Sequence, residues 1–251
     1  MKNKKRSRFF PRNHKASHVG IVLSFVIFVV FLTVLYSILE SSTKTQKDKQ
    51  TILDSLEKEL IRKFSVEVTS MTISVDKDLP TNQPCIKLEN FGATEMGKKI
   101  SVKDNMGNTQ DSYDNLAEDG LQIDRTDEDN RFFKIYNSSE FAEIEKLTIS
   151  PCQQINEDKY TIGLTRTKKY ISRNKILKLI NEYDNYETLK EKLDVPQRTE
   201  FFFSFEENNR TLNKPEKKIP ESVDVYVEKI PIHYMDAKAN ILHGFVTIKI
   251  W

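Results

Sequence analysis

Within the first forty residues a block of bare positive charge runs directly into a block with no charge at all. Met1–His18 carries seven basic side chains (Lys2, Lys4, Lys5, Arg6, Arg8, Arg12 and Lys15) and no acid. Val19–Leu39 then passes 21 residues without an Asp, Glu, Lys, Arg or His. As a helix this block measures about 31 Å, close to the hydrocarbon thickness of a bilayer. A chain built this way has to satisfy two solvents, and the segment predicts a transmembrane helix over 19–39. Ser24, Thr33 and Ser37 are compatible with lipid because their hydroxyls can bond back to helix carbonyls. Tyr36 suits the outer interface. A cleaved secretory signal fits less well. The apolar run exceeds the usual 7–15 residues, and Ser37-Ile38-Leu39-Glu40 is a poor small-residue cleavage site.

The positive-inside rule sets the expected topology, with the basic end in the cytoplasm and residues from Glu40 onward outside. Without the seven basic residues the chain holds 32 Lys/Arg against 37 Asp/Glu, so the net charge of +2 reports the tail alone. That argues against a nucleic-acid surface, and no nucleic-acid partner is expected. The lipid bilayer is the expected partner of the N-terminal segment.

Four segments follow: a basic leader or tail at 1–18, the span at 19–39, an amphipathic stalk helix at 40–64, and an extracytoplasmic β-rich domain at 65–251. In the stalk, Ile52, Leu53, Leu56, Leu60, Ile61 and Phe64 fall at helical spacing on one face. From Val66 the period becomes two. Strands are expected at 66–75, with a bulge between Thr69 and Met71, and at 85–91, 99–103, 113–116, 121–124, 131–136, 144–149 and 160–165. Asp119-Gly120 predicts a hairpin turn, as does Asp104–Asn108 another turn. Ile176–Tyr183 predicts a helix, and Asp184 to Glu187 has capping-box form for a second one ending before Pro196. Thr199–Phe205 reads as a strand buried on both faces, with Phe201, Phe203 and Phe205 on one side and Phe202 on the other. Strands at 223–234 and 245–251 flank a turn at Asp236–Asn240. The fold class is α+β: a transmembrane helix with a stalk, then a mainly antiparallel β ectodomain with a short helical pair. No internal repeat is visible.

Chemistry is sparse. No zinc-protease, nucleophile-elbow, phosphate-loop or dinucleotide motif occurs, so no catalytic residue, cofactor or metal is assigned and the protein is not expected to be an enzyme. His233 and His243 flank the last turn and lack a third ligand. Asp124, Asp127, Glu128 and Asp129 crowd one loop without the order of a dedicated calcium site. Cys85 and Cys152 each follow a proline. Outside the cytoplasm they can form a disulfide, the alternative being two separate buried thiols. Asn137-Ser138-Ser139 and Asn209-Arg210-Thr211 are sequons, which makes Asn137 and Asn209 candidate glycosylation sites.

Lys15-Ala16-Ser17-His18 before the apolar helix resembles the processing site of archaeal type IV pilin-like proteins, over Met1–Leu39. The layout to Phe64, apolar first and amphipathic later, is similar too. The resemblance implies cleavage between Ala16 and Ser17, with the helix kept in the mature protein. It also implies a cell-surface structural or adhesion subunit that assembles as a homo-oligomer or with pilus or secretion-apparatus subunits through its N-terminal helix. Cleavage there puts Ile21 at the fifth mature position, where many pilins carry a glutamate. The other reading is a monomeric, single-pass tethered ectodomain that binds an envelope component or a partner cell.

Overall fold

In the computed structural model, residues 15–76, 83–91, 99–115, 120–125, 129–146, 152–214 and 218–251 are described. The chain divides into two compact units, the second running Ile52–Trp251. Helix α1 (Lys15–Phe64) contributes to both. The leader 1–14 lies outside the described residues, and the Ala16–Ser17 bond lies inside α1.

In the first unit, His18–Glu40 is long and apolar enough to cross a membrane. Its large side chains, from Val19 through Phe28 and Tyr36 to Leu39, are exposed. Thr33 Oγ1 donates to the Val30 carbonyl at 2.8 Å, so the hydroxyl is satisfied within the helix.

The second unit is a mostly antiparallel β-rich body. Leu53, Leu56, Leu60 and Phe64 line one stripe of α1 and are buried. Ser65 Oγ donates to the Ile61 carbonyl, closing the last turn, and β1 (Ser65–Val75) begins there. Next come β2 (Cys85–Glu89), β3 (Ile100–Lys103), β4 (Thr109–Gln110), β5 (Ser112–Asn115), β6 (Gly120–Asp124) and β7 (Phe132–Asn137). β8 (Glu145–Lys146), β9 (Gln153–Ile155), β10 (Tyr160–Ile162) and β11 (Arg166–Ser172) follow, then α2 (Arg173–Asn181), a 3-10 turn and α3 (Tyr186–Lys192). β12 (Phe201–Glu207), β13 (Arg210–Leu212), β14 (Tyr226–Met235) and β15 (Ile241–Ile250) complete the body. The larger sheet has the order β13-β12-β15-β14-β11-β1-β7-β3-β4, with β10 also on β1; the smaller is β8-β5-β6-β2-β9.

Among the described residues, three apolar clusters hold these layers. The α1 stripe packs with α2, α3 and the inner faces of β12, β14 and β15, through Phe201, Phe203, Phe205 and Ile248. A second cluster joins the two sheets through Ile73, Val102, Ile135, Leu88 and Ile123. The third is small: Val66, Val68, Phe141, Met235 and Ala239. β1 feeds two of them. Val66 and Val68 enter the third cluster, while Ile73 and Val75, of opposite parity, enter the second. That parity change is what suggested a bulge in β1. β1 itself pairs with β7 in unbroken register, and the extra residue sits in its partner, between Ile162↔Ile73 and Arg166↔Ser70. The strand serves opposite faces of one sheet, so no kink is needed to explain its pattern.

Other expectations are adjusted. The helical pair is matched only loosely, because α2, the 3-10 turn and α3 run end to end. The capping box does not form: Asn185 precedes α3 with no side-chain cap, while exposed Asp184 takes Lys214 Nζ at 3.2 Å. Val223 and Val225 are exposed and precede β14. β5 and β6 pair as an antiparallel hairpin, with Asn115 opposite Gly120, but Asp119 lies outside the described residues.

Candidate functional site

The sequence candidates scatter over the body. Cys85 and Cys152 form a disulfide that ties β2 to the segment leading into its parallel neighbour β9. Asn209 is exposed at positive φ in the β12–β13 turn. Asn137 instead ends an interior strand, and its Nδ2 donates to the Lys99 carbonyl at 3.1 Å. His233 and His243 are direct cross-strand partners with ring centroids 4.4 Å apart, both exposed. Asp127 and Glu128 fall outside the described residues. Among those described, no three His, Cys, Asp or Glu side chains converge as metal ligands.

A cleft of about 390 Å³ opens instead between β3, β4, β5 and the approach to β8. Ser101, Gln110, Asp111, Tyr113, Glu143 and Glu145 line it, with Lys238 at the rim. Three carboxylates against one ammonium make it electronegative. Burial raises the Tyr113 hydroxyl above its ordinary value, and the nearby charges of Asp124, Asp111 and Glu145 add to the rise. Burial, reinforced by Asp111, likewise raises the Asp124 carboxyl. Acceptor-rich walls of this kind suit a ligand that brings hydroxyl or amino donors.

Two turns of one design lie beside the cleft, and the second lends it Ala237 and Lys238; both are turns expected from the sequence, and only their shared geometry is new. In Asp104–Asn108, Asp104 Oδ1 accepts from the amides of Met106 and Asn108, and Oδ2 accepts from Asn108 Nδ2 and Gln110 Nε2. In Asp236–Asn240, Asp236 Oδ1 accepts from the amides of Lys238 and Asn240, and Oδ2 from Asn240 Nδ2, each at 2.8 Å. The fourth residue of each, Gly107 or Ala239, has positive φ. The shared spelling is Asp-x-x-x-Asn, and its Asx geometry follows from a side chain short enough to bond the amides two and four residues on.

The two turns are clasped. Ser101 Oγ donates to the Lys238 carbonyl at 3.0 Å. Lys103, buried, reaches the Gly107 carbonyl at 3.1 Å and Asn240 Oδ1 at 2.6 Å. Burial lowers the Lys103 ammonium from its ordinary value, partly offset by Asp236 and Asp104. The clasp brings the tip of β14–β15 to β3, although β11, β1 and β7 separate them in the sheet.

Elsewhere, Arg173 at the start of α2 grips Glu207 with two nitrogens, its Nε at 2.7 Å from Oε2. The Tyr234 hydroxyl donates to the same Oε2 at 3.1 Å. This trio, with Glu207 and Tyr234 buried and Arg173 half-buried, locks α2 to the end of β12.

Comparison with family models, with curated proteins and with solved structures gives no significant match.

Proposed function

We propose that the protein is a membrane-anchored, pilin-like cell-surface subunit of structural or adhesive role. In this reading residues 1–18 are cytoplasmic, 19–39 span the bilayer and the body stands outside. The observation that carries it is the divided character of α1. Over His18–Glu40 the helix exposes apolar side chains all round, which in water is unfavourable at about 25 cal/mol per Å² and in lipid is not. From Leu53 to Phe64 the same helix buries a narrow stripe in a β-rich body. The Cys85–Cys152 disulfide supports an oxidising compartment for that body. The resemblance of Lys15-Ala16-Ser17 to a pilin-type processing site supplies the class.

The test is the N-terminal sequence and intact mass of the protein extracted from its native membrane. A chain beginning at Ser17 is expected. A chain retaining Met1–Ala16 overturns pilin-type processing.

A second reading, a monomeric tethered ectodomain that binds an envelope component or a partner cell, is favoured by two observations. Ile21 would occupy the fifth mature position, and the acceptor-rich cleft offers a ligand site independent of assembly. An uncut N-terminus together with a monomeric extract selects it.

A further inference from the structure

We propose that Lys103 and Asn240 join in an intramolecular isopeptide bond, Lys103 Nζ to Asn240 Cγ, that covalently closes the clasp between the β3–β4 and β14–β15 turns.

Geometry is the first argument. The amine lies 2.6 Å from Asn240 Oδ1. A carbonyl bond is about 1.23 Å long, so Cγ lies no farther than about 3.8 Å from the amine. Held there, a bimolecular aminolysis becomes an intramolecular one, whose advantage in well-aligned cases is on the order of 10⁵ M or more. The two residues are 137 apart in sequence, so the fold alone makes the encounter.

The amide is presented in one sense only. Asp236 Oδ2 is an acceptor and takes Nδ2 at 2.8 Å, which leaves Oδ1 for the lysine. Reversing the amide would set donor against donor and acceptor against acceptor. The backbone of Asn240 is pinned as well, its amide on Asp236 Oδ1 and its carbonyl taking the Asp236 amide.

The amine is suited to attack. Lys103 is 7% exposed, and its nitrogen contacts two neutral oxygens, Gly107 O and Asn240 Oδ1. Burial pulls its ammonium toward the neutral, nucleophilic form. Asp236 is near enough to act on the Lys103 charge while bonded to the nitrogen that must leave. Asp236 thus stands beside the group to be protonated, and it meets the amine's proton once Nζ is bonded to the same carbon as Nδ2.

The step balances with no other reactant. Neutral Nζ adds to Cγ, forming the new C–N bond. Asp236 accepts a proton from Nζ and returns it to Nδ2. The Cγ–Nδ2 bond breaks and ammonia departs with that electron pair. The product is a secondary amide, with Asp236 regenerated as the carboxylate. An initially protonated lysine simply releases ammonium in place of ammonia.

The twin turn is an internal control. Asn108 meets Asp104 as Asn240 meets Asp236, but Lys103 reaches that turn at the Gly107 carbonyl rather than at the Asn108 side chain. The bond should form at one turn and not at the other.

The experiment is a peptide map and intact mass of the purified full-length chain, reduced, alkylated and denatured. Expected is a mass about 17 Da below that calculated for the linear, alkylated chain, the loss of one ammonia, with residues 103 and 240 recovered in one branched peptide. The deficit should vanish in Lys103→Arg and Asn240→Ala and persist in Asn108→Ala. Recovery of residues 103 and 240 in two linear peptides of unaltered mass from the wild-type protein overturns the proposal. That measurement needs no variant, so misfolding of a substituted chain does not obscure it.

Discussion

Gly244 stands in β15 where no side chain fits. A Cβ there would lie 2.7 Å from the Glu206 carbonyl oxygen and 2.9 Å from the Phe205 ring. The first obstacle is backbone, which cannot rotate away. Gly244→Ala is therefore expected to cost about 3 kcal/mol, read as a lowered denaturation midpoint with the slope unchanged. Glu207 makes the second residue-scale prediction. Hydrogen bonds from Arg173 hold its carboxyl below the ordinary value against the opposing effect of burial. Burial and the Glu207 contact push the Tyr234 hydroxyl the other way, to about 12. A lowered folded pKa gives a contribution that is complete above the unfolded value, near 4.5, and lost as pH falls through the folded one. Asp124 and Glu228, whose carboxyls are raised mainly by burial, act in the opposite sense. Comparing wild type with Glu207→Gln isolates the trio. The variant should be less stable at pH 7, and the gap should close on acidification below pH 4.5. A gap independent of pH would sink the assignment. Neither Gly244 nor Glu207 was legible beforehand, because each acquires its role from strands that meet only in the fold.

At the scale of elements, periodicity carried the helix and strands whose burial has one partner face. The α1 stripe at Leu53, Leu56, Leu60 and Phe64 and the two-sided burial of β12 both read directly from spacing. β1 misled because one uninterrupted strand serves two cores on opposite faces. The edge of β12 shows what spacing does not contain. β13 covers only its last residues, from Phe205 to Glu207. Over the first half the tyrosines of the helical run complete the edge. The Phe203 amide donates to the Tyr183 hydroxyl at 2.7 Å, and the Phe201 amide to the Tyr186 hydroxyl at 2.9 Å. Tyr183→Phe keeps the ring contacts with Phe201 and Phe203 but strands a buried amide. The expected loss is about 1–3 kcal/mol, with faster hydrogen exchange at the Phe203 amide as the specific readout. Unchanged exchange at that amide would refute the edge role.

For the molecule as a whole, two constraints of different kind hold the body. The disulfide closes a separation of 67 residues within the smaller sheet. On the chain-entropy account its reduction should cost about 4 kcal/mol, measured by denaturation with and without reductant. A shift under a tenth of that size would mean the unfolded chain is already restricted there. The turn clasp acts on the larger sheet, holding β3 to the β14–β15 tip. The sequence by itself determined the division of labour along the chain: an uncharged segment of bilayer length, an amphipathic continuation and a strand-rich remainder. Those properties are local, set by hydropathy and by the 3.6- and 2-residue periods, and need no knowledge of distant partners. The tertiary structure alone decided which lysine and asparagine meet. It also decided that two Asp-x-x-x-Asn turns, 132 residues apart in numbering, lie side by side. Such encounters depend on sheet order and curvature, which arise from packing summed over the whole body and leave no periodic trace in the residues that benefit.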